Sequence, residues 1–232
     1  MAIDLVVQAL AQRSQLRHAP CAKRVRASRD GVLVCDTTAA LLVWLPDHVV
    51  PQYAVPRAEL VDPAAGPPAG SAPIDEPGFE GHLLLPFAEF DWLEEEESVI
   101  AHPHDPYARI DILHSTRHVQ VEHGGVVLAR THHPVAVVET GLPIRWYLPA
   151  HDVRTDLLSE SETRSTCAYK GHASYLSVDG RPDGRDLAWV YRHPLHEAEP
   201  LRDLICFWAE RTETTVDGQP APQLTGPRPA GV

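Results

Sequence analysis

The sequence has little basic charge and no long apolar run. Its 20 basic residues stand against 32 acidic residues in a chain of 232, which gives a formal net charge of −12. Such a balance argues against electrostatic binding to nucleic acid or to an anionic membrane surface. No apolar run approaches the roughly 20 residues that span a bilayer. Nucleic acid and membranes are therefore not expected as partners.

Paired cysteines are also missing. The chain has four cysteines, Cys21, Cys35, Cys167 and Cys206, and no two of them are spaced as Cys-x-x-Cys. This spacing excludes a zinc knuckle or a redox motif and predicts separate, reduced thiols. The start of the chain lacks the basic segment of a secretory signal, so we expect a cytoplasmic protein.

One sequence pattern occurs twice. Residues 23–46 match residues 117–140 at a fixed shift of 94 positions, and after a one-residue slip residues 53–56 match residues 146–149. A repeat of this kind is typical of two copies of one folding unit. The second copy continues into a stretch with reactive side chains at 166–171, whereas the first continues into a Pro-rich stretch. On this pattern, only the second copy carries a polar cluster that could do chemistry.

Two glycine-containing turns predict β-hairpins. Asp30-Gly31 and Gly124-Gly125 each separate two extended runs, and both pairs suit a type I′ turn, in which both central residues need a positive φ. Further strands are predicted at residues 39–44, 135–138, 173–178, 187–191, 204–208 and 212–216. These features predict a mostly β fold. We expect two similar small antiparallel β domains in tandem, as open barrels, sandwiches or tent-like sheets, with few short helices.

Domain boundaries follow from these elements. Residues 1–22 are predicted to form a helical leader, with a helix from Asp4 to about Leu16. Residues 23–106 form the first β domain, with a Pro-rich insert at 61–80 that is either a linker or an ordered surface arm. Residues 107–218 form the second β domain, with the candidate site, and residues 219–232 a disordered tail. The acid run 94–97 is interpreted as solvated surface, and residues 91–93 as the counterpart of 188–190.

Several short motifs, in order and spacing, resemble the domain of unknown function 427 family in its two-copy bacterial form, over most of residues 23–218. The motifs lie at 139–143, 145–149, 152–154, 166–171 and 188–191, with weaker matches at 35–38, 43–44 and 102–107. The resemblance implies small β-rich domains of roughly a hundred residues and no settled activity. Two positions depart from it. Ala168 stands where the family usually has Pro, and Leu45 stands where the second copy has Glu139, which suggests that the first copy lost a polar member of its site.

Three residues are candidates for catalysis. Glu139 ends an apolar strand and precedes a turn, so it could act as a general base, or it could simply accept turn N–H groups or pair with Arg145. Lys170 could bind an anionic group or form a Schiff base with a carbonyl, although most lysines are only solvated. Cys167 could be a nucleophile or an inert core residue.

Four residues are candidates for ligand binding. Arg145 could clamp a carboxylate or phosphate while the rings of Trp146, Tyr147 and Tyr169 supply an apolar floor. On an alternating strand Arg145 and Tyr147 share one face and Trp146 lies on the other, so only part of the set can line one pocket. Trp189 and Tyr191 likewise share a face and are more typical of a core.

Histidine is abundant, with 14 residues in the chain. Local pairs occur at 102 and 104, at 132 and 133, and at 193 and 196, each beside a proline. Such pairs could hold zinc or iron with a third ligand, but the sequence offers no clear third ligand. We therefore predict no metal and no cofactor.

These observations predict a protein that binds a small polar or anionic organic molecule in the second domain or in a cleft between the domains. One alternative is an enzyme that performs acid–base or lysine-centred chemistry on a small carbonyl, amine or acyl substrate. Another is a structural or protein-interaction module whose exposed aromatic side chains form an interface. A homodimer in which the two copies face each other is also compatible with the sequence.

Overall fold

The computed structural model describes residues 11–181 and 183–222 and divides into two compact units. Unit 1 comprises the described residues up to Asp105, and unit 2 those from Pro106 onward. Most of the predicted leader helix, from Asp4 to residue 10, lies outside the described residues. None of the described helices is both long and apolar enough to cross a membrane.

Unit 1 consists of two antiparallel sheets. The larger sheet has the strand order β1-β4-β5-β7-β6, and the smaller has the order β3-β2-β8-β9. The strands are β1 (Arg17–Pro20), β2 (Val25–Arg29), β3 (Val32–Thr37), β4 (Leu41–Trp44), β5 (Gln52–Pro56), β6 (Ala72–Pro73), β7 (His82–Leu85), β8 (Asp91–Glu94) and β9 (Glu97–Val99). Short 3-10 helices cover Arg57–Glu59, Pro63–Ala65 and Phe87–Glu89.

Unit 2 also has two antiparallel sheets, of seven and four strands. Their orders are β10-β13-β14-β18-β17-β16-β15 and β12-β11-β19-β20. The strands are β10 (Ile110–His114), β11 (Val119–His123), β12 (Val126–Thr131), β13 (Val135–Glu139), β14 (Arg145–Leu148), β15 (Leu158–Cys167), β16 (Gly171–Val178), β17 (Ala188–Val190), β18 (Ile205–Phe207), β19 (Glu213–Val216) and β20 (Gln219–Pro220). Its 3-10 helices cover Ala150–Asp152, Thr155–Leu157 and His196–Leu201. The prediction of a mostly β, antiparallel fold is confirmed.

The two predicted hairpins form as the turn residues require. Asp30 and Gly31 have φ of 52° and 77°, and Gly124 and Gly125 have φ of 55° and 76°. Both hairpins also carry an irregularity at the same place, after Ala27 in β2 and, 94 positions later, after Val121 in β11. The sequence match is therefore reflected in backbone detail.

The strand pairing of the two units also corresponds. The smaller sheets have the same order, and β1-β4-β5-β7 in unit 1 parallels β10-β13-β14-β18 in unit 2. The one-residue slip is visible, since Leu42 faces Tyr53 and Ala136 faces Trp146. The match of residues 91–93 with 188–190 is wrong. Strand β8 pairs with β2 as β19 pairs with β11, so Trp92 corresponds to Thr214.

Two boundaries differ from the sequence prediction. Strand β1, assigned to the leader, pairs with β4, and Gln219–Pro220, assigned to the tail, pairs with β19.

Strands β10 and β15 were not predicted. Strand β15 is mostly exposed and rich in Ser, Glu and Thr because it is an edge strand, so it lacks apolar alternation. Within the Pro-rich insert, Ile74 and Phe79 pack against Val43 and Ala54, which makes this segment an ordered arm.

The seven-stranded sheet of unit 2 buries both of its faces. One face packs on the smaller sheet through residues such as Leu128, Leu148 and Ile205. The opposite face carries Val135, Val137, Tyr147, Trp189, Tyr191 and Cys206, and residues Ala198 and Leu201 of the 3-10 helix His196–Leu201 join the same cluster. We call this second side of the sheet the aromatic face.

Candidate functional site

A buried ion pair joins two of the predicted site residues. Lys170 lies in the turn between β15 and β16, and its Nζ donates a hydrogen bond of 2.6 Å to Oε2 of Glu139 at the end of β13. The side chains are only 7% and 15% exposed. The partner of Glu139 is therefore Lys170 rather than Arg145, and Lys170 is not a solvated surface lysine.

The turn that presents Lys170 depends on glycine. Gly171 has a φ of +95°, and a Cβ at this position would lie 3.4 Å from the backbone oxygen of His193 and from the backbone nitrogen of Leu195. The Leu195 N–H also donates to the Lys170 carbonyl over 3.2 Å. A left-handed residue without a side chain is needed here, and the segment after β17 holds the turn in place.

The ion pair also shows that the sheet is curled. Strands β13 and β16 are four steps apart in the strand order. In a flat sheet the distance between these two strands would be roughly 19 Å, at about 4.8 Å per step. One lysine side chain cannot span that distance. The sheet must therefore wrap around its aromatic face for Lys170 to contact Glu139.

A second ion pair lies on the next strand. Arg145 on β14 donates from Nη1 to Oε2 of Glu210 over 2.8 Å, and the two side chains are 10% and 18% exposed. Burial acts to lower the pKa of the Arg145 guanidinium, but the hydrogen bond that it donates to Glu210 and the neighbouring charges together raise this pKa. The guanidinium also stands over the rings of Trp208, at 5.1 Å, and Trp189, at 5.9 Å.

The two ion pairs lie near the buried sulfur of Cys206. Burial raises the pKa of the Cys206 thiol, the charges of Arg145 and Lys170 lower it, and those of Glu139 and Glu210 raise it. The strand register supports their proximity, because Arg145 pairs with Val137 and Glu139, two residues further along β13, lies on the same face of the sheet. We call Glu139, Arg145, Lys170 and Glu210 the charged cluster. Glu210 was not predicted, because it follows a strand end and belongs to no motif.

Aromatic side chains border the charged cluster. Trp189 donates from Nε1 to the Tyr147 hydroxyl over 3.0 Å, and Tyr191 joins the same buried group. Burial raises the pKa of both phenols, so both remain protonated. Trp208 and Tyr175 are half-buried on this face. Tyr147 lies where the alternation predicted it, on the same face as Arg145.

Trp146 does not belong to this site. It packs on the opposite face of the sheet with Val121 and Leu148, as the alternation of β14 requires. Trp146 therefore lies apart from the charged cluster, and its part in ligand binding stays a prediction. A cavity of about 10 Å³ beside it has room for at most one water molecule. A groove of about 470 Å³ lies elsewhere, in unit 1, between the ordered arm and β7.

Cys167 and Tyr169 flank Lys170 from the same turn. Cys167 ends β15 opposite Gly171 and is a half-buried free thiol. Burial, and after it the nearby Cys167 and Glu139, raise the pKa of the Tyr191 hydroxyl. Tyr169 is half-buried.

The corresponding face of unit 1 is apolar. The strand pairing puts Ala54 in the place of Tyr147 and Leu84 in the place of Cys206, and the sequence shift puts Leu45 in the place of Glu139. These side chains pack with Phe79 in one cluster. Leu45, where unit 2 has the polar Glu139, thus belongs to a face on which the packed side chains are apolar.

Unit 1 nevertheless has a polar centre of its own, on its other face. Glu94 is buried and accepts hydrogen bonds from Tyr53 over 2.6 Å, from His104 Nδ1 over 2.7 Å and from Lys23. Burial acts to raise the pKa of Glu94, but these donors lower it to about 2. The interpretation of residue 94 as solvated surface is wrong, because Glu94 is buried. The alternation of β8, which points Trp92 and Glu94 inward, was the signal that could have found it.

No metal centre is apparent in the described part of the chain, where no three or more His, Cys, Asp and Glu side chains come together to hold an ion. His104 is engaged with Glu94, and the ring of His132 lies 4.6 Å from that of His118.

Comparison with known proteins bears on unit 2. Residues 111–218 match the model of the family described as "Domain of unknown function (DUF427)". The resemblance inferred from the sequence motifs is thereby confirmed for this part of the chain, which includes the whole charged cluster. A search of the curated proteins finds no match.

Proposed function

We propose that unit 2 binds a small polar organic molecule at the charged cluster. The observation that carries this proposal is the state of Lys170. An ammonium group has three N–H donors, and among residues 11–181 and 183–222 the one hydrogen-bond acceptor for Lys170 is Glu139. Two donors of a nearly buried cation are therefore left without an acceptor among the described residues, and a ligand oxygen would satisfy them.

Stability alone is a poor reason for such an arrangement. A buried donor without an acceptor costs about 1–3 kcal/mol, and buried ion pairs are often no more stabilising than apolar side chains of similar volume. Unit 1 illustrates the apolar solution, with Leu45, Ala54 and Leu84 at the matching positions. The cost in unit 2 is therefore better explained by recognition of a ligand than by folding.

Thermal shift and calorimetric titration of the full chain with a panel of small metabolites would test the proposal. At least one compound should stabilise the protein, and its effect should disappear in Lys170→Ala. Arg117→Ala is the matched control, because Arg117 is an exposed cation of the same unit that pairs with Asp217. A panel without any binder, or binding that survives Lys170→Ala, would contradict the proposal.

A second candidate is lysine-centred catalysis, which the 2.6 Å distance between Lys170 Nζ and Glu139 Oε2 favours. At that distance the carboxylate can accept a proton from the ammonium. The freed amine would then attack a substrate carbonyl and form a Schiff base with loss of water. Borohydride should trap a covalent adduct on Lys170, and mass spectrometry of Lys170→Gln should show none. Turnover of a carbonyl substrate without a trapped adduct would eliminate this mechanism.

We also propose that unit 1 is a second, diverged copy of the same domain. The common strand order, the shared hairpin irregularity and the one-residue slip support it. In this view ligand binding belongs to unit 2, and unit 1 retains the framework.

A further inference from the structure

The charged cluster is electrically balanced. It contains two cations, Lys170 and Arg145, and two carboxylates, Glu139 and Glu210. Each cation already has a carboxylate at hydrogen-bond distance, 2.6 Å in one pair and 2.8 Å in the other. The cluster therefore offers no net positive charge to an incoming anion and no net negative charge to an incoming cation.

This balance discriminates between ligand classes. A simple anion that reached the free donors of Lys170 would come close to Glu139 as well, and like charges in a poorly solvated place repel strongly. A simple cation would meet the same difficulty with Lys170 and Arg145. A molecule that carries both charges can place its anionic group on Lys170 and its ammonium on a carboxylate, and the site stays neutral.

The carboxylates are well placed to receive a positive group. Glu139 and Glu210 are the two more exposed members of the cluster, at 15% and 18%, whereas Lys170 and Arg145 are the more buried ones. Glu139 uses Oε2 for Lys170, and its Oε1 has no hydrogen-bond partner among the described residues. A ligand ammonium can thus bind at Glu139 while the ligand carboxylate reaches the more buried Lys170.

We infer that the ligand of unit 2 is a zwitterion of the amino-acid class, held by its carboxylate on Lys170 and by its ammonium on Glu139. This inference rests on the proposed function and narrows it. The half-buried ring of Trp208 lies against the Arg145 guanidinium and forms an apolar border to the cluster.

Matched triplets of compounds test the inference on the full-length protein. Each triplet contains a free amino acid, its N-acetyl derivative, which is a simple anion, and its methyl ester, which is a simple cation. Calorimetric titration should find the free amino acid binding at least about tenfold more tightly than either derivative, because one charge-assisted hydrogen bond is lost in each. The Arg117→Ala variant should show the same ranking.

Charge-neutralising variants provide a readout that a merely structural pair would not give. Glu139→Gln makes the cluster net positive, so the N-acetyl acid should gain affinity relative to the free amino acid. Lys170→Gln should reverse the preference toward the ester. Where Glu139→Gln fails to fold, as circular dichroism would show, Glu210→Gln removes the same charge from the more exposed pair.

The outcomes separate the two proposals. An N-acetyl acid that binds the wild-type protein as tightly as the free amino acid would overturn the zwitterion inference and leave small-molecule binding at Lys170 intact. Absence of binding by every member of every triplet would overturn the zwitterion inference, and the wider metabolite panel would then decide the proposed function separately.

Discussion

At the scale of single residues, Glu94 shows how much one buried carboxylate can contribute. Its three side-chain donors lower its pKa from 4.5 to about 2. A carboxyl group whose pKa is depressed by folding stabilises the protein above its unfolded pKa, and this stability is lost as the pH falls toward the folded value. The full shift corresponds to roughly 3 kcal/mol.

Unit 1 should therefore lose stability between about pH 4.5 and pH 2, a window set by the two pKa values of Glu94. Urea unfolding at a series of pH values, monitored by the fluorescence of Trp92, which lies on the same strand, would measure the slope. In Glu94→Gln the slope over this window should be smaller than in the wild type. An equal slope in both proteins would show that other groups control acid unfolding.

The Glu139–Lys170 pair allows a sharper test at the same scale. Glu139→Leu introduces the residue type that unit 1 has at position 45 and leaves a buried ammonium without its carboxylate. Breaking a buried pair in this way costs about 3 kcal/mol, and urea unfolding of the full chain should show this loss. The double variant Glu139→Leu with Lys170→Met should recover most of it, because no uncompensated charge remains. A double variant as unstable as the single one would contradict this account.

At the scale of structural elements, the β15–β16 turn connects sequence to site. Gly171→Ala would force a Cβ to 3.4 Å from two backbone atoms at a φ of +95°, and we expect a loss of about 1–3 kcal/mol together with weaker ligand binding as Lys170 moves. Gly180→Ala is the matched control, since Gly180 has a φ of +72° with nothing within 4 Å of its Cβ position. Thermal unfolding should show a smaller loss of stability for the control variant. Equal losses of stability in the two variants would mean that crowding of the Cβ does not contribute to the effect of Gly171→Ala.

The elements also show why only part of the structure could be predicted. The hairpins were predictable because Asp30-Gly31 and Gly124-Gly125 are local signals. The two faces of β14 were also predictable, because the alternation of side chains along a strand is a local property. Strand β15 was not, since an exposed edge strand carries no apolar pattern. The contact between Glu139 and Lys170 depends on the curl of a seven-stranded sheet, which is a property of long-range packing and leaves no trace in local spacing.

At the scale of the whole molecule, the main difference between the units is what lies between two matching strands. Unit 1 connects β5 to β7 through the ordered arm, whereas unit 2 connects β14 to β18 through β15, β16 and β17. These three added strands bring Lys170 and Trp189 to the aromatic face. The polar site therefore arises from an extension of the sheet as well as from substitutions within the shared strands.

Because the charged cluster and all the strands that carry it lie between residues 106 and 222, unit 2 should keep its function without unit 1. Each unit has its own buried clusters, so we expect a fragment of residues 106–222 to fold alone. Far-ultraviolet circular dichroism and a dispersed amide NMR spectrum would establish folding, and titration with the amino-acid triplets should give affinities within about threefold of the full chain, a difference of less than about 1 kcal/mol. A folded fragment that no longer binds would show that the site needs residues of unit 1, and would move the search for the ligand to both units together.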